Sequence, residues 1–241
     1  MTKDSGTEHA WADLESGAKQ SLELAYESLV AGGLACGAAI TDASGAVVAE
    51  GRNRAYDPPG GKDALQGTPL AHAEMNALAA VSTYRDLSTC TLWSSQEPCS
   101  MCTTAATFTG VGTVRFLAPD PWAIAAGRRR SGLDSGAHPA SDVQSGSSPL
   151  IVGPLDDERW VVAANVMFLL SIARLRGLDH PTIVRNADLE PDTVNVVRRL
   201  MAADSSAQLP SSADAFVTDC WAAICTAARN RAAGRLSDRS P

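Results

Sequence analysis

Apolar residues recur with a helical period near the start of the chain and with strand-like patterns after it. The apolar positions between Trp11 and Ala31 have the spacing of an amphipathic helix, and the pattern stops at Gly32-Gly33. The next segment, GAAITDASGAVVAEGRN, contains two short β-type runs on either side of Asp42-Ala43-Ser44-Gly45. This arrangement predicts a helix followed by a β-hairpin.

The pattern continues to alternate up to residue 120. A loop rich in Gly and Pro spans residues 56–69, and a helical run follows from about Ala71 to Ser82. CTLWSS predicts a strand, Cys99 to Phe108 a short helix, and VGTVRFLA another strand. The resulting order, α-β-β-α-β-α-β, implies a sheet that is covered by helices on both faces.

The second half of the chain has a different pattern. Gly, Ser and Pro make up 12 of the 23 residues from 127 to 149, which is typical of a linker or a long loop. Residues 149–153 could add a fifth strand, and helical patterns follow at 157–176, 190–203 and 213–232. We therefore expect a mainly helical second half.

Composition and charge narrow the class of protein. The 241 residues are 45% hydrophobic, which is enough for one large domain or for a domain with an extension. Residues 1–120 contain 7 basic and 14 acidic residues, and the remainder contains 13 of each, so the net charge of −7 belongs to the first half. This acidity disfavours a general nucleic-acid binder. The longest apolar stretch is too short for a membrane span and the N-terminus is polar, so we expect a cytoplasmic protein without a membrane partner.

His72, Cys99 and Cys102 are the strongest candidates for metal ligands. Neutral imidazole and thiolate groups suit Zn2+, and the Cys-x-x-Cys spacing places both sulfurs on one side of a helix's first turn. On its own, this spacing would also fit a redox pair or half of a structural zinc site. No other Cys or His has the spacing of a fourth structural ligand, which favours a site with an open coordination position.

Glu74 lies two residues after His72 at the start of the predicted helix. This offset would let His72 reach the metal while the Glu74 carboxylate lies over the fourth position, where zinc binds and acidifies a water molecule. A carboxylate placed there can accept a proton and pass it on to a substrate. The three ligands and Glu74 together therefore predict a hydrolytic zinc centre.

His72-Ala73-Glu74 and Pro98-Cys99-Ser100-Met101-Cys102 together resemble the signature of the cytidine deaminase-like superfamily. The branch with guanine deaminases and tRNA adenosine deaminases is most similar. The resemblance implies one Zn2+ per chain held by His72, Cys99 and Cys102, with Glu74 as the catalytic proton shuttle. It also implies that Asn53 and the main-chain N–H of Ala73 bind the substrate, and that the chain forms a homodimer.

The resemblance, together with the composition and the apolar patterns after residue 120, predicts a fold and a division of the chain. We expect a three-layer α/β/α sandwich with a mixed sheet, extended by a mainly helical C-terminal region. Residues 1–125 would form the zinc-dependent deaminase core, 126–150 a linker or loop, and 151–241 a helical region that completes or covers the core. Tyr56, Trp93 and Trp122 are candidates for stacking on a base.

The substrate implied by these features is a small base or nucleoside. The acidic first half and the Ser94-Ser95-Gln96-Glu97-Pro98 variant favour a guanine-like purine over RNA. A tRNA adenosine deaminase and a cytosine or cytidine deaminase are the alternatives among enzymes. A non-catalytic zinc scaffold is the alternative from another functional class, although it would have no use for the Glu74 carboxylate.

Overall fold

Helices and strands alternate in the first half of the chain in the predicted order. In the computed structural model, the described residues are 11–61, 63–122, 148–203 and 209–237. The elements of the first half are α1 (Ser16–Val30), β1 (Gly37–Thr41), β2 (Val47–Arg52), α2 (Ala73–Ala79), β3 (Thr91–Gln96), α3 (Ser100–Phe108) and β4 (Thr113–Ala118). Most of the loop predicted at 126–150 lies outside the described residues.

One short strand and a run of helices make up the described part of the second half. They are β5 (Leu150–Val152), α4 (Glu158–Arg176), α5 (Pro181–Leu189), α6 (Pro191–Ala202) and α7 (Ala213–Ser237). Helix α5 was not predicted, because its buried residues are too few to give a clear apolar period. Its start is nevertheless marked in the sequence, since Pro181 occupies the first turn and the His180 side chain accepts a hydrogen bond from Thr182 N.

The five strands form one mixed sheet in the order β2-β1-β3-β4-β5. Strand β1 pairs antiparallel with β2 and with β3, whereas β3 to β4 and β4 to β5 are parallel pairs. Because β3 and β4 run in the same direction, the segments that follow them emerge at the same edge of the sheet. That edge is where α/β proteins usually place their ligand sites.

Helices cover both faces of the sheet, as expected for a three-layer α/β/α sandwich. On one face, α2 and α3 pack on apolar side chains of the strands, such as Ile40, Leu92 and Val114. On the other face, α1 and α4 share a core with Trp93 and Leu117, and this core extends outward into α6 and α7. The predicted fold class is therefore confirmed, and the C-terminal helices belong to the same hydrophobic core as α1.

Helix α4 is buried on all sides. Every residue from Trp160 to Ala173 is buried, which is typical of a helix enclosed between other layers of a domain. The Asp157 side chain caps its first turn, and Gly177, at φ 91°, ends it. Within the described ranges, no helix is long and apolar enough to cross a membrane.

Gly51 allows α2 to lie directly on β2. A Cβ atom at this position would be 2.5 Å from both Ala73 O and Ala77 N, which is closer than real Cβ contacts. The absence of a side chain therefore sets the distance between strand and helix. Since α2 begins at Ala73, this contact also positions His72 and Glu74.

Candidate active site

His72 is the N-cap residue of α2, and its side chain makes no capping hydrogen bond. Its extended backbone conformation, with ψ 154°, turns the chain out of the preceding loop and into the helix. The start of the helix is tied to the sheet by Asn76, whose Nδ2 donates to Arg52 O at 2.8 Å. The imidazole is thus held at the edge of the sheet and is available as a ligand.

Cys99 and Cys102 occupy the corresponding place on α3. Cys99 is the N-cap residue, with ψ 167°, and Cys102 lies in the first turn of the helix. Cys102 is fully buried and Cys99 is partly exposed. Both sulfurs therefore face the same side of the helix start, as the Cys-x-x-Cys spacing predicts.

The three predicted ligands meet at one point. His72 Nδ1 lies 3.7 Å from Cys99 Sγ and 3.6 Å from Cys102 Sγ, and the two sulfurs are 3.6 Å apart. Tetrahedral zinc, with bonds of about 2.3 Å to sulfur and about 2.0 Å to nitrogen, requires separations of about 3.8 Å between sulfurs and about 3.5 Å between sulfur and nitrogen. The donor set and its spacing therefore fit Zn2+, and these three residues form a potential zinc site.

The pKa values of the two thiols are shifted in opposite directions in the absence of a metal. The hydrogen bond from Cys102, with a further contribution from His72, lowers the pKa of Cys99 to about 4. The pKa of Cys102 is raised, because it donates to Cys99, is buried and lies close to Glu74. A divalent cation between the sulfurs would favour thiolates on both.

Glu74 lies beside the ligand cluster but does not belong to it. It is buried, with 6% of its surface exposed, and its pKa is raised by that burial. Ser94 Oγ donates to Glu74 Oε1 at 3.0 Å, and Cys102 Sγ lies 3.4 Å from Glu74 Oε2. The carboxylate is thus fixed between β3 and the predicted metal position.

These groups line a cavity of about 270 Å³ at the carboxyl edge of β3 and β4. This volume is near the lower end of the roughly 300–1,000 Å³ that is typical of small-molecule pockets. Besides His72, Glu74 and Cys99, the wall includes Cys36, Asn53, Tyr56, Gln96, Asp120 and Trp122. The cavity suits a ligand of the size of a single ring system.

The two residues predicted to bind substrate lie next to this centre. Asn53 is buried in the cavity wall, and its Oδ1 accepts a hydrogen bond of 3.1 Å from Ala55 N. Ala73 is fully buried, and as the first residue of α2 its N–H has no acceptor within the helix. Contacts of Asn53 and Ala73 with a substrate stay predictions.

Helix α4 contributes one residue to the cavity wall, and α4 and α5 both support segments beside it. Phe168 of α4 lines it directly, and one turn further along this helix Ser171 Oγ accepts a hydrogen bond of 3.0 Å from Ala35 N, next to the cavity residue Cys36. Asn186 of α5, which is buried, donates to Pro121 O at 2.9 Å. Segments 34–36 and 120–122 are therefore held in place by helices from the second half.

The aromatic candidates separate into two groups. Tyr56 and Trp122 both line the cavity and both touch the C-terminal half, since Arg176 lies over the Tyr56 ring and His180 contacts the Trp122 ring. Trp93 instead packs in the core beside α1, and its Nε1 donates to Thr41 Oγ1 at 3.1 Å. Trp93 is therefore not placed to stack on a ligand in this cavity.

Residues 12–118 match the family model of the cytidine and deoxycytidylate deaminase zinc-binding region. This stretch contains the three potential zinc ligands and Glu74. This stretch is therefore similar to the zinc-binding region of the cytidine deaminase-like superfamily. No curated protein sequence matches the chain significantly.

Solved structures of deaminases are similar to the chain. A guanine deaminase from Bacillus subtilis is 29% identical, over 60% of this chain and 88% of its own, with a TM-score of 0.39. A guanine deaminase from Nitrosomonas europaea is 25% identical, over 66% of this chain and 84% of its own, with a TM-score of 0.47. A tRNA:A34 deaminase is 22% identical, over 56% of this chain and 94% of its own, with a TM-score of 0.43. All three scores are below 0.5, and these superpositions do not distinguish a substrate.

Sequence reasoning missed several residues that line the cavity. Asp120 follows β4 at the same edge where Gln96 ends β3. An expected parallel pairing of these two strands would have indicated that both residues lie at the site. Phe168 lies within the helical pattern predicted at 157–176. The helical period alone did not show that it faces the cavity.

Proposed function

We propose that this chain is a zinc-dependent hydrolytic deaminase that releases ammonia from a small aminated heterocycle, with a guanine-like purine base or nucleoside as the preferred substrate. The observation that carries the proposal is the buried Glu74 carboxylate, which lies 3.4 Å from Cys102, a potential zinc ligand, and is not one of the three potential ligands. A structural zinc site would gain nothing from a buried carboxylate in that place.

The roles of the residues follow from their chemistry. His72, Cys99 and Cys102 would hold the zinc, which when bound acts as a Lewis acid toward water and substrate. Glu74 accepts a proton from the attacking water and delivers protons to the ring nitrogen and to the departing amine. Ser94 keeps the carboxylate in one orientation. The C–N bond breaks, a C=O bond forms, and ammonia leaves.

The charges around the cavity support a neutral substrate. Among the described residues that line it, Glu74, Glu97 and Asp120 carry carboxylates, and none is Lys or Arg. A phosphorylated nucleotide or an RNA loop needs cations or N–H donors around its phosphates. A free base or nucleoside has no such requirement, and the cavity volume is suited to one base.

An ammonia-release screen tests the proposal. Guanine, adenine, cytosine, their nucleosides and a tRNA anticodon stem-loop are compared, with Glu74→Gln as the inactive variant and Glu27→Gln, at an exposed position of α1, as the matched control. We expect turnover of a free base or nucleoside that Glu74→Gln lowers by at least about 10²-fold while zinc is retained. Turnover of the stem-loop alone would contradict the proposed substrate class. Equal turnover by the wild type and Glu74→Gln would contradict the proposed mechanism.

Two further expectations accompany this proposal, the first from the sequence resemblance and the second from the composition of the chain. A homodimer in solution is expected, and light scattering on the purified chain tests it. A cytoplasmic location is the second expectation, and fractionation of the source cells tests it.

A further inference from the structure

Gln96 is a buried amide without a hydrogen-bond partner. Only 4% of the surface of Gln96 is exposed, and neither Oε1 nor Nε2 of its side chain has a hydrogen-bond partner among the described residues. A side-chain amide offers two donors and an acceptor, and burying these groups unpaired is costly. A buried group of this kind in a native structure points to a ligand or to an ordered water.

The position of Gln96 identifies the site that such a ligand would occupy. Gln96 is the last residue of β3, and it lies two residues after Ser94, on the same side of the strand. Ser94 holds the carboxylate of Glu74, and Gln96 lines the same cavity as Glu74 and His72. The unpaired amide is therefore in the wall of the candidate active site.

The acceptor oxygen of the other amide in this wall is already engaged. Asn53 Oδ1 accepts a hydrogen bond from Ala55 N, whereas the Gln96 acceptor and donors are all unused. The carboxylates that line the cavity can accept hydrogen bonds from a ligand but, when ionised, cannot donate them. Gln96 thus supplies a side-chain donor and an acceptor side by side.

We propose that Gln96 determines substrate specificity, by binding the C=O and N–H groups of a lactam edge on the ring that is deaminated. The Gln96 NH2 donates to the ring carbonyl, and the Gln96 carbonyl accepts from the adjacent ring N–H. This inference rests on the proposed function and narrows its substrate class to aminated heterocycles that also carry a lactam, such as guanine. Adenine has no ring carbonyl, and cytidine has no lactam N–H, so neither offers this pair of groups.

The test compares two substrates in one enzyme sample. Guanine carries the lactam, and 2-aminopurine carries the same reacting amine without it. Wild-type enzyme and Gln96→Met, an unbranched apolar replacement, are assayed for kcat/KM on both. Because both substrates are measured in the same preparation, the ratio does not depend on the fraction of folded enzyme. Gln96→Leu provides a second apolar variant, and Leu34→Met is the matched control in the cavity wall.

We expect the wild type to prefer guanine, and both Gln96 variants to lose at least about 10²-fold of that preference, since a site built to hydrogen-bond a substrate discriminates strongly against an analogue without the group. Leu34→Met should change kcat/KM for both substrates by the same factor. We also expect Gln96→Met to unfold at the same temperature as the wild type or higher, because it removes unpaired buried polar atoms.

The outcomes separate this inference from the proposed function. An unchanged guanine preference in both Gln96 variants would overturn the role of Gln96 and leave the deaminase intact. Wild-type turnover only of adenine or cytidine would have the same meaning. Absence of ammonia release from every free base and nucleoside would instead overturn the proposed function itself.

Discussion

Ser94 Oγ donates a 3.0 Å hydrogen bond to Glu74 Oε1, and both side chains are buried. The bond connects the central strand of the sheet to the predicted proton shuttle, so that the carboxylate has one preferred orientation. Ser94 is one of the β3 residues whose side chains point toward α2.

Loss of this hydrogen bond should slow turnover without loss of metal. We expect Ser94→Ala to lower kcat about 10-fold, which is less than the full contribution of a general acid or base of about 10²–10⁴-fold. Steady-state kinetics and metal analysis measure both quantities, and Ser148→Ala, at an exposed position, is the control. An unchanged kcat would mean that Ser94 does not orient Glu74.

The zinc site should depend on both cysteines of the Cys-x-x-Cys pair. We expect about one zinc per wild-type chain, and substoichiometric zinc with a lower unfolding temperature for Cys99→Ser and Cys102→Ser, because a weaker ligand replaces a thiolate. Elemental analysis and thermal unfolding check this. Cys220→Ala, in the core of the C-terminal helices, should keep its zinc. Full zinc in both serine variants would contradict the ligand assignment.

Asn186 should influence substrate binding although it does not line the cavity. Its amide donates to Pro121 O at 2.9 Å and to Thr182 O at 2.8 Å. We expect Asn186→Ala to raise KM, and to cost about 1–3 kcal/mol of unfolding free energy because it removes the side-chain donor to the carbonyl of the buried Pro121. Kinetics and denaturant unfolding check this against Asn195→Ala, which is exposed on α6. A loss of stability with unchanged KM would limit Asn186 to a structural role.

Two glycine substitutions should have opposite effects on stability. Gly51→Ala places a Cβ atom 2.5 Å from main-chain atoms of α2, and we expect a cost of about 1–3 kcal/mol. A Cβ atom at Gly234, within α7, meets nothing within 4 Å, and Gly234→Ala should stabilise the helix by up to about 1 kcal/mol. Denaturant unfolding measures both values. A neutral Gly51→Ala would show that α2 can move away from β2.

The ion pair of Arg52 and Asp57 should make stability depend on acid pH. Burial acts to raise the pKa of Asp57, but hydrogen bonds and charge from Arg52 and Arg54 outweigh it, and the pKa is lowered. The stabilisation is therefore complete above the ordinary Asp pKa of about 3.9, and it is lost as pH falls through the lower folded value. We expect Asp57→Asn to be less stable than the wild type at pH 7, with a smaller difference below about pH 4. A difference that does not change with pH would contradict this assignment.

The sequence was informative wherever a pattern is local. The alternation of helices and strands up to residue 120 could be read from apolar periods, and the zinc ligands could be read from residue chemistry and the spacing of Cys99 and Cys102. The side of the cavity formed by the second half could not be read in this way. The bond between Ala35 and Ser171 joins residues 136 positions apart, and the bond between Pro121 and Asn186 joins residues 65 apart. Contacts of this kind depend on tertiary packing, which no local pattern encodes.

Helix α4 fills the protein interior and at the same time presents Phe168 to the cavity. A substitution that enlarges the cavity at this position also leaves a void in the core, and Phe→Ala changes of this type cost about 3–5 kcal/mol. Adaptation to a bulkier substrate through α4 would therefore require a compensating mutation elsewhere in the core. Tyr56 and Trp122 lie outside the hydrophobic core and are 44% and 43% exposed, so substitutions there carry no such requirement and offer a more accessible evolutionary route to new substrates.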